Sequence, residues 1–323
     1  MTLHLMMLFA ALVLDRMVGD PDGLWRRVTH PVVVFGNLIG FADRRFNKAD
    51  DSAAKRRQNG VMAILALLAL AVAAGLVFNQ ISDRLGPLGT VFEVVIVAVF
   101  LAQKSLADHV GAVVEGLRES GLEGGRRAVS MIVGRDPETL DEAGVSRAAI
   151  ESLAENFSDG VVAPAFWYAV FGLPGLLAYK MLNTADSMIG HLNARHRDFG
   201  RATALFDDAA NWPASRLSAV LIAAGAGLAR GGAAMKRAMA TALSDSGLHR
   251  SPNAGWPEAT MAGALNLALA GPRRYGGELV MEASLNAGGR GQAGAADIAS
   301  ALIVFRKSCD CLAVVVLLLA ISL

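Results

Sequence analysis

The chain has 323 residues, 30 Lys+Arg against 29 Asp+Glu, 54% apolar and 18% charged residues, and a mean hydropathy of +0.42. Soluble domains carry about 25% charged residues. The composition excludes a disordered chain, which is poor in apolar residues. It also excludes a disulfide scaffold, because there are two Cys, and a nucleic-acid binder, which needs a basic field. A very apolar soluble protein or an integral membrane protein remains.

In chain order, Leu3–Val18 is apolar but ends in Asp15-Arg16. It lacks the basic start and small-residue cleavage site of a secretory signal. Gly19-Asp20-Pro21 and His30-Pro31 follow. His30 can serve as a general base or as a structural residue beside proline. Arg44, Arg45, Lys48, Lys55, Arg56 and Arg57 then crowd one loop. The next segment, Val61–Phe78, is 18 residues without a charge. It predicts a spanning helix, which needs about 20 apolar residues. Cytoplasmic loops hold the Lys/Arg excess, so residues 41–60 are expected inside and the amino terminus and the turn at 79–89 outside. Leu88–Ala102 is apolar but carries Glu93, and Val161–Leu182 is broken by Gly172-Leu173-Pro174-Gly175. Near the carboxy terminus, Arg306, Lys307 and Asp310 interrupt the apolar run. One clean span and several interrupted ones are expected. Cys309 and Cys311 read as ordinary apolar positions.

Residues 103–160 and 183–260 are polar on one face, with helical periodicity and no alternation long enough for a sheet. Gly134-Arg135-Asp136-Pro137 places an arginine and a capping aspartate at a helix start, a position that suits anions. Arg147, Glu151, Glu155 and Asp159 recur every four residues, predicting one charged helix stripe, with Asn156 beside it. Asn183, Asp186, Ser187 and Gly190 fall at i, i+3, i+4 and i+7. Asp207-Asp208-(x2)-Asn211-(x4)-Arg216 sets carboxylates, an amide and a guanidinium on one segment. Paired aspartates suit a hard cation such as Mg²⁺, with phosphate completing the shell. His249 to Glu258, which contains Ser251 and Asn253, is polar and turn-rich. Walker A, GxGxxG and HExxH patterns are absent.

The ordered segments GDP, HPVVVFGNLIG, VGRDPETLD, AAIESLAENFSDGVVAPAFWY, NTADSMIG, FDDAANWPASRL and SPNAGWPEATMAGAL resemble the CobD/CbiB family. The likeness runs from Asp15 to about Gly277. Pro137 stands where the family pattern has Thr, and Ala185 where it has Leu. The resemblance implies a multi-pass enzyme of the inner (cytoplasmic) membrane. It would join a propionate carboxyl of adenosylcobyric acid to (R)-1-amino-2-propanol or its O-phosphate, giving an amide, with ATP as co-substrate and Mg²⁺ as cofactor.

Such a reaction needs Mg²⁺ on the polyphosphate, cations at the transferred phosphoryl group and a base for the amine proton. On this reading Asp207 and Asp208, with Asp186 or Asp159, hold Mg²⁺. Arg135 and Arg216 face phosphates. Glu151, Glu155 or His30 takes the proton. Asp136, Asn156, Asn183, Ser187, Ser251 and Asn253 bind and orient substrate. ATP is cytoplasmic, so the motifs on both sides of Val161–Leu182 must reach one face. That predicts a re-entrant helical hairpin turning at 172–175. The expected fold is an all-α polytopic membrane bundle, residues 1–323 forming one integral membrane domain, with 103–160 and 183–260 as amphipathic helices facing the cytoplasm. Partners besides the substrates would be the lipid bilayer and, through small-residue faces such as Ala71–Gly75, a second copy or other corrinoid enzymes. The alternatives are a non-catalytic corrinoid-binding protein, a scaffold or a transporter, although no inverted repeat is visible.

Overall fold

The computed structural model describes residues 2–134, 137–271, 273–275, 278–280 and 282–323. The helices are α1 (Thr2–Val18), α2 (Asp22–Trp25), α3 (Pro31–Phe46), α4 (Ala53–Leu85), α5 (Pro87–Phe100), α6 (Gln103–Val129), α7 (Glu142–Phe157), α8 (Ala163–Ile189), α9 (Arg201–Arg230), α10 (Gly232–Asp245), α11 (Gly255–Leu265) and α12 (Ala295–Ser322). The fold is the expected all-α membrane bundle. Among the described residues, three helical stretches are long and apolar enough to cross a membrane: Ala53–Leu85, Pro87–Val129 and Glu142–Ile189. The chain divides into two compact units. The first comprises residues 1–101, 163–211 and 319–323, and the second residues 102–162 and 212–318.

In the first unit, local chemistry sets the helix ends. The His30-Pro31 pair is the start of α3: Pro31 occupies the first turn, and His30 Nδ1 accepts from Val32 N at 3.2 Å. Ser52 caps α4 by accepting from Lys55 N. Gly86, at φ 57°, ends α4 in a conformation that favours glycine. Glu93 interrupts its span without exposing a charge. It is buried, accepting from Tyr168 Oη at 2.7 Å and from Ser82 Oγ at 3.1 Å.

The helix α8 reverses at Gly172 (φ 65°, ψ −152°). A Cβ on Gly175 would strike the carbonyl oxygen of Trp167. Residues eight apart in an unbroken helix lie about 12 Å apart, so the two arms fold back on each other. The hairpin expected at 172–175 is therefore present. Pro174 leads the returning arm and packs on Gly75 of α4, where any side chain would collide with it.

The second unit holds a reversal with no counterpart in the sequence reading. Within α6, Gly121 (φ 60°) turns the chain so that Gly124 abuts Gly116. A π-helical turn, Ser158–Val162, follows α7. Pro164 has no N–H for the carbonyl of Gly160, which accepts from Ala102 N at 3.1 Å instead. Four short strands also escaped the sequence reading. Of these, β1 (Leu269–Ala270) pairs antiparallel with β4 (Ser284–Leu285), and β2 (Arg273–Tyr275) with β3 (Glu278–Val280).

Candidate functional site

The first unit gathers carboxylates from two helices. The returning arm of α8 carries Asp186, and the start of α9 carries Asp207 and Asp208. Asp207 is 8% exposed, and its Oδ2 accepts from Asn211 Nδ2 at 2.9 Å. Asn211 is held in turn by Tyr179, whose hydroxyl donates to Asn211 Oδ1 at 2.8 Å. Burial, then the charge of Asp186, then that of Asp208 push the Asp207 carboxyl up to about 7, against the pull of Asn211 and Asn183. Tyr179 and Ala210 also border an apolar cavity of about 520 Å³ walled by Leu68, Val72, Trp167 and Phe171.

Mg²⁺ is often held by one or two carboxylates, with phosphate and water oxygens completing the shell. Among the described residues no three His, Cys, Asp or Glu side chains are arranged to hold a metal ion. Asp207 fits the sparser seat: its Oδ1 is buried without a completed hydrogen bond, and two further carboxylates act on it. Of the four residues expected to bind metal, Asp186, Asp207 and Asp208 lie in this unit and Asp159 belongs to the other. Ser187 is exposed and donates to the Asn183 carbonyl of its own helix.

The second unit supplies the opposite charge. The Arg216 guanidinium lies 4.7 Å from the Trp212 ring centre and 5.0 Å from that of Trp256. Its Nη1 donates to Asn253 Oδ1 and Ser215 Oγ, both at 2.9 Å, and to Trp212 O at 3.1 Å. Burial lowers its pKa. No carboxylate among the described residues pairs with it. Ser251 Oγ accepts from Asn253 N and Ala254 N, which shapes the turn that presents Asn253. Behind that turn, His249 and Glu258 are buried with Nε2 and Oε1 3.6 Å apart.

The charged stripe of α7 does not form one face. Glu151 is buried and accepts from Ala270 N at 2.8 Å, whereas Glu155 and Asn156 are exposed. Steps of four residues drift by about 40° each on a helix of 3.6 residues per turn, and Asp159 lies in the π turn. Asn156 Nδ2 donates to the Ser152 carbonyl. His30, in the first unit, is committed at Nδ1 to its helix cap, with Nε2 3.7 Å from Asp20. Arg135 and Asp136 lie outside the described residues. Tyr179, Trp212 and Ser215 were not singled out from the sequence; only the indole beside an arginine in NWPASR hinted at one of them.

Together these features define a polytopic helical membrane protein with a carboxylate-rich cluster in one unit and a tryptophan-flanked arginine in the other. Residues 8–305 match the family described as CobD/Cbib protein, and the chain belongs to that family. It is 62% identical to the "Cobalamin biosynthesis protein CobD" of Sinorhizobium sp over 98% of both chains. The protein of that name from Brucella suis is 56% identical over 94% of this chain and 93% of its own. The one from Rhodobacter capsulatus is 42% identical over 98% and 97%. No solved structure matches the chain.

Proposed function

We propose that this protein of cobalamin biosynthesis is the adenosylcobinamide-phosphate synthase, an amide-forming ligase of the inner membrane. Its substrates are adenosylcobyric acid, ATP and (R)-1-amino-2-propanol O-phosphate or the free amino alcohol. Arg216 carries the reading: a cation clasped between two indoles, with no carboxylate partner among the described residues, is reserved for an external anion. A carboxylate is a poor acyl donor because oxide would have to leave. Its oxygen therefore attacks the terminal phosphorus of ATP, and ADP departs. The amine nitrogen then attacks the acyl carbon, phosphate leaves, and a base takes the surplus proton.

Arg216 faces the phosphoryl oxygens, with Asn253 and Ser215 fixing its plane. Among the three bases expected, Glu155 is an exposed carboxylate, whereas Glu151 is buried and the His30 ring is only partly exposed. We therefore assign the proton to Glu155. Asp207, with Asp186 and Asp208, would hold Mg²⁺, whose charge neutralises polyphosphate. The cluster's unit also contains the basic residues 44–57, tied to the 190–200 loop by Arg56 and Arg57 on Asp198. That ion-paired loop follows directly on α8 and supports a cytoplasmic site.

Purified protein in detergent, given adenosylcobyric acid, aminopropanol phosphate, ATP and Mg²⁺, is expected to yield the amide by mass, with ADP released. Corrinoid binding without product under those conditions would overturn the assignment in favour of a non-catalytic binder.

A further inference from the structure

Two segments of the first unit, residues 43–57 and 190–201, carry nine Arg and Lys against four Asp. Three of those carboxylates are already engaged. Asp43 takes Arg195 Nη2 at 2.6 Å and Nε at 3.1 Å, with His196 Nε2 3.5 Å away. Asp198, also buried, takes Arg57 Nε at 2.8 Å and Arg56 Nη2 at 3.2 Å. Asp51 takes Lys55 at 2.7 Å. These pairs, with Asn47 Nδ2 donating to the Arg195 carbonyl at 3.0 Å, bind the 190–200 loop to the end of α3 and the start of α4. Burial works to raise the Asp43 pKa, but the hydrogen bonds from Asn47 and Arg195 and the Arg195 charge outweigh it and lower it.

What is left over is a set of exposed cations with no carboxylate partner among the described residues: Arg44, Arg45, Lys48, Arg197 and Arg201. The fourth carboxylate, Asp50, is exposed and pairs with none of them. Apolar side chains stand beside these cations in the open. Phe41 is 58% exposed, Phe46 43% and Leu192 84%, and Arg45 lies over the Phe46 ring at 5.7 Å. The outward residues of the adjoining helices are apolar as well, with Val33 and Val34 on α3 and Met62 and Leu65 on α4. The cations therefore stand at the ends of helices whose outer faces suit hydrocarbon, the level at which acyl chains give way to headgroups.

We propose that this face binds anionic phospholipid headgroups, with Arg44, Arg45 and Lys48 on α3 and its following loop, and Arg197 and Arg201 after α8, engaging the phosphodiesters. A free phosphate would satisfy the cations but leave Phe41, Phe46 and Leu192 in water. A lipid satisfies both, and each Lys or Arg near an anionic surface contributes to the attraction. The ion-paired Arg56, Arg57 and Arg195 build the face, and the unpaired cations read the lipid.

The test uses the full-length protein in nanodiscs of phosphatidylcholine alone or mixed equally with phosphatidylglycerol, with retained lipids counted by native mass spectrometry. The wild type is expected to keep phosphatidylglycerol in preference to phosphatidylcholine. R44Q/R45Q/K48Q should lower that preference about tenfold or more, and R44K/R45K should leave it intact. No preference in the wild type would overturn the proposal, as would a preference that survives the triple substitution. Loss of bound phosphatidylglycerol on adding inorganic phosphate at constant ionic strength would also overturn it, assigning the cations to a soluble anion. If the triple variant does not fold, the wild-type comparison and the lysine variant still decide.

Discussion

The two polar clusters carry opposite charge. Around Asp207 the first unit concentrates negative charge: Asp186 and Asp208 act on a carboxyl that burial alone already disfavours as an anion. Around Arg216 the second unit isolates positive charge, packed by indoles and held by neutral acceptors. An acidic group whose carboxylates repel one another, and an arginine with no carboxylate partner among the described residues, suit ligands of opposite charge, one cationic and one anionic. The contrast also separates how they hold shape. Asp207 is oriented by hydrogen bonds through Asn211 to Tyr179, while Arg216 is held by hydrogen bonds to Asn253, Ser215 and the Trp212 carbonyl together with two indole faces.

The largest effect should come from emptying the acidic cluster. Asp207→Ala with Asp208→Ala is expected to lower amide formation by about a thousandfold or more. Insertion and helical circular dichroism should be unchanged, because removing the pair relieves like-charge repulsion. Near-normal turnover would break the comparison on its acidic side. On the other side, Arg216→Ala should cost about a hundredfold in kcat/KM. Arg216→Lys should recover little of it, since an ammonium keeps the charge but loses the planar stack on Trp212 and Trp256. Full recovery by lysine would mean that charge alone matters there.

A smaller effect follows from the Asp207 proton. Its ordinary value is 3.8 and its folded value about 7. The folded state binds the proton more tightly, so this group's stabilisation is complete below about pH 4. It is lost as pH rises through about 7 and changes no further above that. Thermal midpoints measured across that window should fall with pH in the wild type and vary less in Asp207→Asn. Mg²⁺ should stabilise the wild type more above pH 7 than at pH 5, because a cation binds the deprotonated form. Equal stabilisation at both values would remove Asp207 from the cation's ligands.

The two clusters were not equally legible in the sequence. The acidic one was, because Asp207 and Asp208 are adjacent and the Asn183–Gly190 face shows its helical spacing. The break that turns α8 was legible for the same reason, since Gly-Leu-Pro-Gly supplies both a positive-φ residue and a helix start. Arg216 was visible as a residue, but its setting was not, because Trp256 and Asn253 lie about 40 residues away and only tertiary packing brings them to it. The stripe Arg147–Glu151–Glu155–Asp159 misled: periodicity places residues on a face but does not say that Ala270 N will draw Glu151 into the interior. The turn at Gly121 did carry a signal, since SGLEGG holds the S-G and G-G pairs that mark turns, but the helical periodicity around it masked it.

The smallest effect sharpens the contrast most, because it should reach one cluster only. Gly172 has φ 65°, and the atom nearest a Cβ there would be His4 Cε1 at 3.6 Å. Space is therefore available, and the penalty of Gly172→Ala lies in the backbone, about 1–3 kcal/mol for an L-residue in a region that is essentially reserved for glycine. The arm that follows carries Tyr179, Asn183 and Asp186, so a loosened hairpin should displace the groups around Asp207. Arg216 and its indoles depend on α9 and α11 and should not respond. Thermal unfolding in detergent should drop by a few degrees, with weakened Mg²⁺ stabilisation at pH 8 and unchanged tryptophan fluorescence quenching by phosphate-bearing ligands. A variant that lost both responses together would show that the hairpin supports the whole protein rather than the acidic cluster.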